Sequence, residues 1–362
     1  MTKLCYILPE YNEKIADHFY HQYELLKELS DKLDIFLIIE KGSKKCGLAM
    51  STTYVQRFKF LPLRFLESFL VVLWARILGY KNFYTHYCYI GGINAGIISR
   101  LFGGKSYYWH CEMIWEFKQS LFSKIGLNLC FKLSHFLVTG SKLLKKDYAK
   151  NYGLKLNNIK VIPNWVNLER FKNHESRIMN HRKRKTILFV HWLSKRKGAH
   201  LIVPIIRQLI SKLRVTDYEL QVTIIGNGPL KEKIQKEIKE NRLEKFVKIL
   251  GRVPNKDLTE YYAKADIFIM PSLQEGFPRV ILEAMAVGIP YVASDVGAVR
   301  EMSPDIAQDF IVKRGNINEF AKKIQTLILD KEIYEKFNKE ELNKIKEYSL
   351  KNVVNKFSGL FV

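Results

Sequence analysis

The stretch DIFIMPSLQEGFPRVILEAMAVGIPYVASDV, Asp266 to Val296, contains one full strand–helix–strand passage. DIFIMPS is a short apolar run ending in Pro271 and Ser272, which suits the carboxyl end of a strand buried on both faces. Pro278 can open a helix at its first turn, where the missing N–H costs nothing, and Gly288 with Pro290 closes it. YVASDV then reads as the next strand. A helix crossing between two buried strands means a parallel sheet.

The same rhythm extends in both directions. Downstream lies DFIVKRG, and upstream lie TILFVHW, LQVTIIGNG and VKILGRV, with helical patterns from Ala199, from Leu230 and over 257–265 between them. An earlier alternation runs through LCYILP, DIFLIIEKG, FYTHYCYI, SYYWHC and HFLVTGS. Between the two series NHESRIMNHRKRK, Asn173 to Lys185, is polar and basic without apolar period and reads as a linker. The expectation is an α/β chain of two Rossmann-like, doubly wound domains over 1–175 and 176–345, facing across a cleft. A last helix over 346–362 is expected to pack back on the first domain. Ligands of such sheets sit beyond the carboxyl ends of the strands.

With 362 residues, 47% of them hydrophobic and 26% charged, the chain can fill two cores and is not a disordered polymer. Its formal charge of +23, spread over both halves, asks for an acidic partner: nucleic acid, an anionic membrane surface or a phosphorylated substrate. A nucleic-acid reading has only the charge behind it, since no recognition motif is present. Five cysteines without a CxxC pair indicate reduced, buried thiols and a cytoplasmic protein. MTKLCYILPEYNEK turns polar too soon for a signal peptide, and FLVVLWA is too short to span a bilayer.

The chemistry gathers in the opening stretch. A helix start offers unpaired N–H groups and a positive dipole end to a phosphate. Gly276 allows close approach of the backbone, and Glu275 stands just outside the helix, either as a simple cap or as an acceptor for hydroxyls. Glu283 lies two turns in among apolar neighbours, where a carboxylate needs donors and a ribose diol could supply them.

These residues resemble the glutamate–seven–glutamate motif of the family-four retaining glycosyltransferases, glycosyl transferases group 1, which have the GT-B fold. Glu275, Gly276, Phe277, Pro278, Leu282, Glu283, Ala284, Met285, Ala286, Gly288 and Pro290 follow it. IIGNGPL, the segment from VKILGRV to DIFIMPS, ASDVGAVREM and VIPNWVNLERF are similar to neighbouring family segments, and the likeness is specific from Ile187 to Gly315. The resemblance implies transfer of a sugar from a nucleotide diphosphate sugar to a glycan or lipid-linked acceptor, with anomeric configuration kept and no metal or other cofactor. It assigns Glu275 and His110 to the reacting sugar, Glu283 to the ribose, and Lys197, Arg196, Pro278 and the amides of Gly276 and Phe277 to the donor. No Asp-x-Asp pair is present to hold a metal.

Two departures stand out. VHWLSKRKG has His191 and Trp192 where the family has Gly-Arg, so the phosphate-binding guanidinium is absent there, and Arg196 beside Lys197 is either its substitute or part of an exposed basic turn. LPEYNEKIADHF lacks the glycines of the family's first loop, so acceptor recognition does not carry over. His110 itself is either a packed ring or a catalytic one. The segment Tyr54 to Lys81, with Arg57, Lys59, Arg64 and Arg76 among bulky apolar residues, is either a core helix with basic edges or a surface lying on the inner face of the cell membrane. Two rivals remain: a nucleotide-sugar epimerase, which would lack this motif, and a GT-B protein that binds a nucleotide sugar without turnover.

Overall fold

The computed structural model describes residues 1–11, 20–42, 50, 52–116, 118–171, 184–213 and 219–361. The chain divides into two compact units, Met1–Pro163 with Leu350–Val362, and Asn164–Ser349.

Among the described residues the first unit holds seven strands: β1 (Thr2–Leu8), β2 (Leu33–Ile39), β3 (Thr52–Val55), β4 (Asn82–His86), β5 (Lys105–Trp109), β6 (Phe136–Thr139) and β7 (Ile159–Val161). Their order is β3-β2-β1-β4-β5-β6-β7, every pairing parallel. The helices are α1 (Tyr20–Ser30), α2 (Leu61–Ile77), α3 (Tyr89–Leu101), α4 (Leu121–Leu133) and α5 (Lys142–Tyr152). The apolar runs of β1 and β2 are buried almost throughout because helices cover both faces of the sheet. The chain winds outward from β1 to β3, then reverses at β4, so the switch point lies between β1 and β4.

The second unit repeats the plan. Strands β8 (Arg184–Val190), β9 (Glu219–Ile225), β10 (Val247–Gly251), β11 (Ile267–Met270), β12 (Tyr291–Ser294) and β13 (Ile311–Val312) form a parallel sheet ordered β10-β9-β8-β11-β12-β13. Its switch point lies between β8 and β11. The helices are α6 (Ile202–Leu213), α7 (Lys231–Glu240), α8 (Leu258–Lys264), α9 (Arg279–Val287), α10 (Val299–Met302), α11 (Ile317–Leu329) and α12 (Lys331–Lys344). The chain then returns to the first unit as α13 (Leu350–Ser358), where Phe357 packs against the rings of Tyr6 and Tyr84.

The units part at Pro163, twelve residues before the 175/176 boundary read from the sequence. Hydrogen bonds fix the intervening segment to the second unit: Asn164 donates to the Phe277 carbonyl at 2.8 Å, and the Val166 N–H to the Tyr348 carbonyl at 3.0 Å. Most of the linker Asn173 to Lys185 lies outside the described residues. Cys5, Cys88, Cys111 and Cys130 are free and buried, whereas Cys46 lies outside the described residues. No helix among the described residues is long and apolar enough to cross a membrane.

Candidate active site

At the switch point of the second unit, the loops after β8 and β11 are pressed together. Gly198 makes this possible: it takes φ 69°, and a Cβ there would sit 1.9 Å from the Pro271 carbonyl oxygen. The Arg196 carbonyl accepts the Leu273 and Gln274 N–H groups at 2.8 and 3.3 Å, closing the seam from the other side. Arg196 thus holds the loop by its backbone while its side chain is exposed.

The seam carries Glu275 into the interior, 7% exposed. Its Oε1 accepts from Lys197 Nζ, His191 Nε2 and Ser272 Oγ, all at 2.8 Å, and its Oε2 accepts from Lys197 Nζ at 2.7 Å. Burial alone would push this carboxyl up, but the Lys197 ammonium and the His191 ring outweigh it and hold the group far below the ordinary carboxylate range. Burial also lowers the pKa of His191, the Lys197 charge adds to that, and the carboxylate opposes both. The neutral ring has a fixed tautomer. Nδ1 accepts the Trp192 N–H at 3.1 Å, so Nε2 carries the proton donated to Glu275.

Glu275 therefore arrives ionised and richly hydrogen-bonded, and Lys197 is committed to it on both oxygens. The sequence reading gave these two residues to sugar and phosphate separately; the fold joins them in one pair. His191 and Ser272 were missed as members of the cluster. The signal for both is position: each follows a strand end, and β8 and β11 are neighbours only because the sheet reverses there.

Beyond Glu275 the backbone passes through Gly276 and the buried Phe277 to Pro278, which caps α9; the helix proper starts at Arg279. The Gly276 carbonyl accepts the Ala298 N–H at 2.8 Å, which ties the loop after β12 to the site. Gly288 ends α9 at φ 75°. Glu283 is half-buried on the second turn of α9, where its Oε2 accepts from the Tyr262 hydroxyl at 2.9 Å. The donor that a carboxylate among apolar neighbours requires is this phenol, a partner the sequence did not indicate. Trp192 is 58% exposed at the rim.

His110 belongs to the first unit, just past β5, and is 3% exposed. Its Nδ1 lies 2.6 Å from the Tyr148 hydroxyl, which itself donates to the Glu112 carbonyl at 2.7 Å. The hydroxyl has one proton, so Nδ1–H donates to the phenolic oxygen and Nε2 keeps the lone pair. Burial lowers the ring's pKa to about 3, so it stays neutral at physiological pH. It is well packed and also poised to accept a hydrogen bond.

Known proteins share both the fold and this region. Residues 171–344 match the family model of glycosyl transferases group 1. An uncharacterized glycosyltransferase of Haemophilus influenzae is 29% identical over 207 residues, 57% of this chain and 56% of that protein. The phosphatidylinositol N-acetylglucosaminyltransferase GPI3 subunit of Saccharomyces cerevisiae is 28% identical over 183 residues, 49% of this chain and 40% of that protein. The chain thus spans about half the length of the curated relatives it matches. The crystal structure of Anabaena Alr3699/HepE in complex with UDP and glucose superposes with a TM-score of 0.78 over 99% of both chains at 17% identity. That likeness, with the two doubly wound sheets, makes the fold GT-B. Residues 171–344, just under half of the chain, are similar to the glycosyl transferases group 1.

Proposed function

We propose that the protein is a retaining glycosyltransferase that moves a sugar from a nucleotide diphosphate sugar to a lipid-linked or glycan acceptor. The observation that carries this reading is the Glu275–Lys197–His191–Ser272 cluster at the switch point of a nucleotide-type sheet, beside the start of α9. Binding of UDP and glucose by a protein of the same fold supports a uridine diphosphate donor. The phosphatidylinositol named for the yeast relative supports a lipid-linked acceptor.

In this reading the bond from the anomeric carbon to the terminal phosphate oxygen breaks as the acceptor oxygen bonds to the same face. The acceptor's proton passes to the departing phosphate. Negative charge grows on the nucleotide, and Lys197, Arg196 and the N-terminal amides of α9 meet it without a metal. Glu275 stays a carboxylate and takes hydrogen bonds from the sugar hydroxyls through its remaining lone pairs. Glu283 and Tyr262 hold the ribose, and His110, through Nε2, accepts from a sugar hydroxyl. In this reading the enzyme lies on an anionic membrane, and the exposed apolar residues of α2 support that.

A screen of nucleotide sugars by release of free nucleotide tests the reading, with the anomeric configuration of the product read by NMR. A sugar nucleotide turned over by the wild type and at least about 100-fold more slowly by Glu275→Gln, a barrier increase of about 2.7 kcal/mol, is the expected result. Binding without turnover of any donor supports the non-transferring rival instead, and an inverted product removes the retaining assignment.

A further inference from the structure

The first unit has its own built site at its own switch point. Past β1 lie Pro9 and Glu10, and past β4 lie Tyr87 and Cys88, with Tyr87 held at φ 59°, a conformation that costs a bulky residue energy and recurs at ligand sites. Here a groove of about 440 Å³ opens, well within the roughly 300–1,000 Å³ of small-molecule sites. Ile90 and Ile93 of α3 form its floor, Leu61 and Phe65 of α2 one wall, and Phe122, Ile125 and Leu129 of α4 the other. These walls are apolar yet exposed: Phe122 by 62%, Ile125 by 50% and Leu61 by 46%. Leu63, Leu66, Leu70, Trp74 and Ile77 extend the exposed apolar surface along α2 at helical spacing.

The groove runs directly into a second, open depression of about 960 Å³, since Glu40, Lys41 and Arg64 line both. This second part is cationic. Lys41, Arg57, Lys59 and Arg64 face it, and its one acid among the described residues, Glu40, is buried in an ion pair with Arg64 and accepts the Gly91 N–H at 3.1 Å. From Ser51 to Cys111 the chain carries seven lysines and arginines against one acid, Glu67, and Glu67 is buried under bonds from the Tyr54 hydroxyl and the Arg57 and Phe58 N–H groups. An apolar trough that opens into a basic bowl fits a molecule with a hydrocarbon tail and an anionic head. A second copy of this chain, at +23, would bring cations to cations.

We propose that the first unit binds a phosphate-bearing lipid, its phosphate in the basic depression by Arg57 and Lys59 and its hydrocarbon chain in the groove over α3. Only the role of this lipid as acceptor rests on the transferase reading above; its binding does not.

The test is calorimetric titration of the full chain with dodecyl phosphate below its critical micelle concentration, beside inorganic phosphate and dodecyl maltoside. Dodecyl phosphate is expected to bind at least about tenfold more tightly than either control, since it alone fills both parts. Ile93→Trp, which fills the floor, and Phe122→Asp, at an exposed wall position, are each expected to weaken it about tenfold while leaving inorganic phosphate unchanged. Arg57→Glu with Lys59→Glu is expected to weaken it similarly while leaving the maltoside unchanged. Equal affinity for inorganic phosphate would mean an anion site without a chain site and overturns the proposal. So does dodecyl phosphate affinity unmoved in Phe122→Asp, or a change of oligomeric state in that variant by gel filtration. Nucleotide release by the second unit is read in parallel: release without lipid binding sinks this proposal alone, whereas lipid binding without release of any nucleotide sinks the transferase reading alone.

Discussion

Glu275 beside β11 and Glu341 on α12 lie in the same unit, the first 7% exposed and the second wholly buried. Four hydrogen bonds from three residues reach Glu275, one residue of them a full cation, and its carboxyl is held far below the ordinary range. Neither oxygen of Glu341 has a hydrogen-bond partner among the described residues, and burial pushes its carboxyl well above 4.5. Two buried acids with opposite ionisation show that burial alone does not set charge in this protein. The donors brought to the carboxylate do, and those donors were assembled only at the switch point. The contrast also separates a site from a structural accident: one acid is kept ionised at the expense of three neighbours, the other simply survives as a neutral group.

Removing the cation should produce the largest effect. Lys197→Met leaves a buried carboxylate with two neutral donors, which costs roughly 3–5 kcal/mol of stability, and turnover should fall by about 100-fold or more. The double variant Lys197→Met with Glu275→Met removes both charges, so chemical denaturation should show most of that stability returning while turnover stays lost. The pH dependence follows from sign. The folded pKa of Glu275 is depressed, so the pair stabilises above the ordinary carboxyl value and loses that contribution as pH falls toward the folded value. Lys197→Met should flatten that acid limb. A single variant within about 1 kcal/mol of wild type would show that the pair is not what keeps Glu275 in place.

Glu341 carries the opposite sign. Its folded pKa is raised, so its contribution is most favourable below about 4.5 and is lost as pH rises toward the folded value, because the unfolded chain ionises first. It also stands in the closing turns of α12, where a negative charge would meet the wrong end of the helix dipole. Glu341→Met should therefore stabilise the protein at neutral pH by about 1–3 kcal/mol. The gain should be smallest near pH 4.5 and widen upward, as read from denaturant midpoints across pH. A gain of one size at every pH would mean that packing, not ionisation, separates the two residues.

How much of this was legible in the sequence depends on distance along the chain. Helix α9 was readable almost to the residue, because Pro278 and Gly288 punctuate it and the apolar runs on either side can only be strands. β3, TTYV, and β7, IKV, were not named as strands; they are short, half-buried and thinly apolar. As a result Tyr54 to Lys81, read as one segment, divides between β3 and α2. The Glu275 cluster was half legible: its acid and lysine sit in local motifs, but His191 reaches it only through the β8–β11 pairing, which no local pattern encodes. The groove of the first unit was legible only in part, since Tyr54 to Lys81 was read as either a core helix or a membrane-facing surface and nothing singled out α4. The outward faces of α2 and α4 look in sequence like core faces, and only the structure shows that they remain uncovered. Glu341, within NKEELNK, looks like any solvated glutamate until its burial is seen.

The comparison sharpens on the smallest change. If charge, not the number of bonds, keeps Glu275 ionised, the neutral donors should matter far less than Lys197. Ser272 is the cleaner probe of the two, because it is wholly buried and its hydroxyl reaches Oε1 at 2.8 Å without carrying any charge. Ser272→Ala removes that bond and a single oxygen, leaving Lys197 on both carboxylate oxygens and His191 on one. The expected cost is about 1 kcal/mol in stability and less than about tenfold in turnover, with the acid limb of the stability profile unmoved. A Ser272→Ala variant as damaged as Lys197→Met would reverse the lesson drawn from Glu341. It would mean that completeness of the hydrogen-bond shell, rather than the ammonium within it, is what the switch point was built to provide.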